Sequence, residues 1–271
     1  CMDGDVTMID FFFEKYPHAI NMPMSDGRTP IYLTVQYGHL AAMKKLLACD
    51  VSVNQLFNIK RRIFGNSGEQ SIETHTHSLL HVAAEFNRAE IMKELICTLV
   101  SKKDTKINVF IHKNRKKIQE FKNTNSTFNL MQRDSDKSTC FHVAAQHGSL
   151  QVMNILQEKF EYTEDFYEYS NTILYDKNAK SFTPLELAVR HGQEDMIHFL
   201  LKGMEMKMIM VPPLIGHAIF SNRLPVLKMV MEMVTILCQK FSLSPERFIS
   251  DKEVFFFNHI SISCFNIRYT N

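Results

Sequence analysis

Residues Ser78–Asn87 read SLLHVAAEFN and residues Thr139–Gly148 read TCFHVAAQHG, so the chain carries one apolar, histidine-bearing phrase twice. The same frame holds TPIYLTVQYG at Thr29–Gly38 and TPLELAVRHG at Thr183–Gly192, with a decayed copy, PLIGHAIFSN, at Pro213–Asn222. Its first slot is Thr29, Ser78, Thr139, Thr183 or Pro213, four of them hydroxyl residues whose side-chain oxygen caps a helix start. Pro30 and Pro184 come next, where a missing N–H costs nothing. Nine residues after the cap stand Gly38, Asn87, Gly148, Gly192 and Asn222, the residue types that most readily take the left-handed conformation ending a helix. The spacing predicts one short helix per copy.

A second apolar pattern at helical spacing follows each stop. It runs through Leu40, Met43, Leu46 and Leu47 in one copy and Ile91, Met92, Leu95 and Ile96 in the next. Val152, Met153 and Leu156 continue it, then Met196, Ile197, Leu200 and Leu201, then Val226, Leu227, Val230 and Met231. Each unit therefore reads as a helix hairpin. GDVTMIDFFF at Gly4–Phe13 aligns with GHLAAMKKLL at Gly38–Leu47, so the chain opens inside an earlier unit and holds half a unit plus about five.

Cap-Pro-Leu-His-x-Ala, then Gly, then Leu-x-x-Val-x-x-Leu-Leu resembles the ankyrin repeat, and the likeness runs over about residues 4–232. A tetratricopeptide array needs an aromatic and small-residue pattern over 34 residues that is missing here. The resemblance implies an all-α fold: an ankyrin-repeat solenoid of stacked helix hairpins with long inserted finger loops. The array is placed at residues 1–232, and a C-terminal helix with an apolar tail at 233–271. It also implies a non-enzymatic interaction module or scaffold that binds protein partners through a concave face and its fingers, and that needs no cofactor.

The run ETHTHSLLH brings His75, His77 and His81 close together in sequence, which invites a metal or acid–base reading. His81 and His142 occupy the histidine slot of the phrase, where the family uses the ring to tie backbone together within and between repeats. Their counterparts Tyr32, Glu186 and Gly216 differ in chemistry, which suits a structural role better than a catalytic one. His75 and His77 lack a cysteine or carboxylate partner at zinc spacing, Glu73 apart, and read as loop residues. Neither G-x-S-x-G, G-x-x-x-x-G-K-[ST] nor H-E-x-x-H occurs, and nine glycines leave little material for phosphate loops. No catalytic, cofactor-binding or metal-ligating residue is assigned, and the chain is read as no enzyme.

Function is expected where the array departs from regularity. Successive caps lie 49, 61, 44 and 30 residues apart, against about 33 for an ankyrin unit. The inserts fall near residues 55–73, 101–135 and 161–178, after a second helix and before the next cap, and repeated insertions at one point project from one face. The first carries Lys60, Arg61 and Arg62, and the second carries Lys113, Arg115, Lys116 and Lys117. The third is acidic and aromatic, with Tyr162, Phe166 and Tyr167 among glutamates and aspartates. The basic inserts read either as solvated loops or as partner-binding fingers. Aromatics at helical spacing in the third either extend the preceding second helix or face a basic protein.

The basic clusters are short and lack stacking aromatics, which weighs against nucleic acid or anionic lipid as the partner. Lys113–Lys117 also matches a nuclear-localisation patch. Net charge is +2, so the chain as a whole has no pull toward polyanions. Six scattered cysteines without a C-x-x-C pair read as reduced, mostly buried thiols. The first thirty residues carry Asp3, Asp5, Asp10 and Glu14, unlike a secretory leader, and the longest uncharged runs fall short of the ~20 apolar residues of a membrane span. The chain therefore reads as cytoplasmic. Starting on Cys1, it also reads as a fragment or a processed product. Two alternatives to a plain scaffold are the cytoplasmic ankyrin region of a transient-receptor-potential-like channel and a microbial effector engaging host proteins.

Overall fold

A computed structural model describes residues 4–49, 51, 55–64, 70–101, 131–161, 174–203 and 211–241. Two compact units divide the chain, Cys1–Pro184 and Leu185–Asn271.

The first unit opens with α1 (Val6–Lys15), capped by Asp5, whose carboxylate accepts from the Thr7 and Met8 amides. A 3-10 turn at Pro17–Asn21 follows. Then come α2 (Pro30–Tyr37) and α3 (Leu40–Ala48), the hairpin β1 (Phe57–Phe64) and β2 (Gln70–His77), α4 (Leu79–Glu85) and α5 (Ala89–Ser101), and α6 (Cys140–His147) and α7 (Leu150–Glu161). Within each pair, α2 packs on α3, α4 on α5 and α6 on α7. Between pairs, α1 lies on α3, α2 on α4, α4 on α6 and α5 on α7. First helices thus stack on first helices and second on second, which is how units that cannot bury an apolar face alone share one core. Ile31, Val35, Met43, Leu80, Met92 and Leu156 are buried in it.

Helix starts and stops fall where local chemistry puts them. Thr29 caps α2 through its side chain, and Pro30 sits at the first helical position. Gly38 at φ +85°, Asn87 at +51° and Gly148 at +68° take the left-handed conformation that ends α2, α4 and α6. Asn87 also reaches forward: its side-chain oxygen accepts from the Val152 amide in the first turn of α7, 3.3 Å away. Arg88 reaches back, donating from Nε to the Gln36 carbonyl at 3.0 Å, a cation on the orphan carbonyls of a helix end.

The second unit is carried by α8 (Pro184–Arg190), α9 (Glu194–Gly203), α10 (Val211–Ser221) and α11 (Leu224–Phe241), with α10 packed on α11. Gly192 and Asn222 are left-handed, at φ +70° and +52°. The decayed copy starts earlier than its frame suggests: α10 begins at Val211, which places Pro212 and Pro213 inside the first turn, where no intrahelical N–H is missed. α11 runs past Met231, where the repeat pattern fades, to Phe241.

The fold is an all-α repeat solenoid, and the first insert takes the place of a finger between repeats. Its two eight-residue strands pair, a detail the finger-loop reading did not specify. Their register runs from Phe57 opposite His77 to Phe64 opposite Gln70. Phe57 and Ile59 alternate inward and are buried, while Asn58 and Lys60 face out. Of the described cysteines, Cys140 and Cys238 are buried, Cys49 is partly covered and Cys97 is exposed, so burial is less general among them than expected. Burial pushes the Cys140 thiol up to about 12. No helix among the described residues is long and apolar enough to cross a membrane.

Candidate functional site

The two histidines of the phrase are joints. His81 Nδ1 accepts from the Ser78 amide at 3.2 Å and lies 2.6 Å from Ser78 Oγ. Because an amide can only donate, Nδ1 is the bare nitrogen and Nε2 carries the proton. Nε2 then donates to the Ser138 carbonyl of the following unit at 2.9 Å. His142 repeats the arrangement, with Thr139 amide and Oγ1 on Nδ1 and the Asp176 carbonyl on Nε2 at 3.1 Å. In both, the ring stands where a capping box usually has glutamate, closing its own helix start on one side and gripping the next unit on the other. Burial holds His81 below the usual histidine range and His142 at about 4, against the pull of the carbonyls. A neutral buried ring with both nitrogens bonded to the chain is a strut.

The metal reading of His75, His77 and His81 meets a different geometry. Their ring centroids are 6.3 and 6.2 Å apart in a tilted and edge-on series, and His75 Nε2 turns to Glu73 at 3.3 Å. No group of three metal-ligating side chains is found among the described residues.

Beside these joints runs a row of tips. Before the caps Thr29, Thr139 and Thr183, the chain makes the same tight turn. The amide five residues before the cap donates to the carbonyl one residue before it: Met24 to Arg28 at 2.8 Å, Asp134 to Ser138 at 2.9 Å, Asn178 to Phe182 at 3.0 Å. The residue two before the cap is left-handed each time: Gly27, Lys137 and Ser181. Side chains brace the turns from within. Asp134 accepts from the Asp136 and Ser138 amides, Asn178 from those of Lys180 and Phe182, and Asp26 from that of Arg28. The Arg28 guanidinium beside Asp26 holds that carboxyl below its ordinary value.

At the second copy the tight turn is replaced by β1–β2, and the hairpin joins the row on both sides. The Lys60 amide donates to the Asp26 carbonyl at 2.9 Å, and the Thr76 amide to Ser135 Oγ at 3.4 Å. Gly27 is needed at the first junction, because a Cβ there would strike the Asn58 carbonyl oxygen. Tyr32 meets Phe57 edge-on under the hairpin, centroids 5.6 Å apart. The row continues when the Ala179 amide donates to the Asp136 carbonyl at 2.7 Å. Arg133 bolts its far end, with Nη2 on both carboxylate oxygens of Asp176 at 2.8 and 2.9 Å and Nη1 on the Lys137 carbonyl at 2.7 Å.

Of the residues singled out from sequence, Lys60 is exposed on β1, and Arg61 and Arg62 follow it opposite Glu73 and Ile72. Lys113, Arg115, Lys116, Lys117, Tyr162, Phe166 and Tyr167 lie outside the described residues. The reading missed the tips themselves, where Lys137, Lys177 and Lys180 are exposed. Their signal was present: an Asp or Asn five residues before two of the caps, the residue types that brace a turn through their own side chain.

Stacked helix pairs, ring struts between them and a hydrogen-bonded row of tips define a helical-repeat array. The family profile for ankyrin repeats, in three copies, matches residues 69–209, and the profile for a single ankyrin repeat matches residues 26–56. The chain belongs to the ankyrin-repeat family. No curated protein matches it. Ankyrin repeats are generally protein–protein interaction modules and typically not enzymes.

Proposed function

We propose that the chain is a non-enzymatic scaffold that holds a protein partner on its concave face and tip row. The observation that supports this most is the seating of β1–β2 between neighbouring tips, which turns an insertion into a continuous, hydrogen-bonded edge. A surface fixed before binding loses little entropy on docking. Lys60, Lys137, Lys177 and Lys180 are exposed along it, and Arg61 and Arg62 follow Lys60, so the partner's matching surface is acidic. In this reading the second basic insert, with Lys113, Arg115, Lys116 and Lys117, extends the same contact. The acidic stretch with Tyr162, Phe166 and Tyr167 takes a basic part of the partner.

The test compares wild type with the K60E/R61E/R62E variant in cytosolic pull-downs at low and at physiological salt. Proteins kept by wild type and lost by the variant, with an unchanged melting temperature, support the reading, and the difference shrinks as salt rises. Equal recovery by both chains rejects it.

A further inference from the structure

The hairpin reaches past the tips that hold it, and its backbone edges can be assigned. In an antiparallel pair, alternate residues of each strand turn their N–H and C=O toward the partner strand, and the others turn them outward. The Lys60 amide leaves β1 for the Asp26 carbonyl at 2.9 Å, so Asn58, Lys60, Arg62 and Phe64 form the outward set of β1. Two further contacts agree. The Asn58 carbonyl oxygen closes on Gly27, and the Thr76 amide, opposite Asn58 in the register, leaves β2 for Ser135 Oγ.

The preceding tip ends where it meets β1. It turns back at Met24–Arg28, the Met24 amide bonding the Arg28 carbonyl at 2.8 Å. β1 runs on through Arg61–Phe64, roughly 13 Å of extended chain. Along it the Lys60 carbonyl, both backbone groups of Arg62 and the Phe64 amide point away from β2, and no backbone group takes them up among the described residues. Such an edge is a template for one more strand. Charge decides which strand fits. β1 bears Lys60, Arg61 and Arg62 in succession, with Lys60 exposed, so a second copy of β1 laid alongside would set like charges against each other. β2 has no lysine or arginine and carries Glu73, so its outer edge offers no such pull.

We infer that the β1 edge from Lys60 to Phe64 receives an extended acidic segment of a protein partner as a third strand, continuing outward the pairing that Asp26 begins at Lys60. The inference rests on the acidic partner surface proposed above and adds its shape: main-chain bonds at Arg62 and Phe64 hold the segment, and the cations of β1 set its charge.

The test uses the whole chain and two synthetic peptides, acetyl-TEVEVET-amide and acetyl-TKVKVKT-amide, at low salt. Amide hydrogen exchange followed by NMR reads the backbone directly. The acidic peptide should slow exchange of the Arg62 and Phe64 amides by about tenfold and those of Arg61 and Ile63, already turned toward β2, far less. The basic peptide should slow neither pair, and nor should an acidic peptide N-methylated throughout, which has no donors left for the Lys60 and Arg62 carbonyls. Acidic peptide that binds without protecting Arg62 and Phe64 overturns the added strand and leaves the acidic-partner reading in place, whereas equal pull-down by K60E/R61E/R62E removes both. Equal protection by the basic peptide, or no protection by either, also overturns the inference. So does protection that appears without peptide and grows with chain concentration, since the edge would then belong to a second copy.

Discussion

In α4 and α6 the third residue after the cap is a histidine whose ring reaches the next unit; in α10 the same frame position is Gly216, where an added Cβ would meet nothing within 4 Å. The second unit uses other means. The Arg190 guanidinium lies 3.5 Å from the Phe220 ring centroid, and Arg223 Nη1 donates to the Gly192 carbonyl at 3.1 Å. α11 is eighteen residues long and buries Val226, Val230, Val234 and Leu237. One part of the molecule is closed by buried polar struts that admit a single register. The other adds the long apolar contact of α11 and the Arg190–Phe220 contact to the cation at a helix end that Arg88 supplies in the first.

Removing a strut should have the largest effect. His142→Ala empties a buried site and strands the Thr139 amide and the Asp176 carbonyl, at a cost of about 3 kcal/mol by urea unfolding. A loss under about 1 kcal/mol would show that the rings are incidental. Gly216→His, with open space around the position, should leave stability within about 0.5 kcal/mol.

Acid should find the same joints. The folded pKa of His142, about 4, lies below its unfolded value of 6.5, so the unfolded chain takes up the proton first. Stability from this ring is complete above about pH 6.5 and is lost as pH falls toward 4, by up to about 3 kcal/mol, with His81 acting in the same direction. Urea midpoints at pH 7 and 4.5 measure the loss, and His142→Gln should reduce the difference between them. An unchanged pH slope in that variant would assign the acid sensitivity elsewhere.

Two glycines give opposite signs. Gly38→Ala forces an alanine to φ +85° against Arg88 atoms 3.2–3.3 Å away and should cost about 1.5 kcal/mol. Gly216→Ala, inside α10 and unobstructed, should add about 0.7 kcal/mol. Melting curves of both chains decide it, and matching signs would contradict the backbone assignments. Of similar size, Arg88→Ala should cost roughly 1 kcal/mol or less by removing the cation from the end of α2.

Most of the helical frame was legible, because its signals are local. Thr29 with Pro30 starts a helix and Gly38 stops one through bonds within a few residues, and Asn87 and Asn222 serve as stops beside the glycines. The hairpin was harder to see. Phe57-Asn58-Ile59-Lys60 alternates as a strand should, but the basic run after it suggested a solvated loop, and the strand exists by virtue of a partner fourteen to twenty residues away. The start of α10 was misplaced because two prolines in a first turn are as acceptable as one at its first position.

The sequence by itself determined the repeat: where each helix begins and ends and which side of it is apolar, since capping, left-handed stops and helical spacing are satisfied within one unit. It also marked the histidine slot as structural. Only the tertiary structure decided what each ring holds and that the first insert becomes a strand pair seated between Asp26 and Ser135. Those outcomes depend on atoms from distant parts of the chain coming within bonding distance, and nothing in a local pattern specifies which carbonyl will be there to accept.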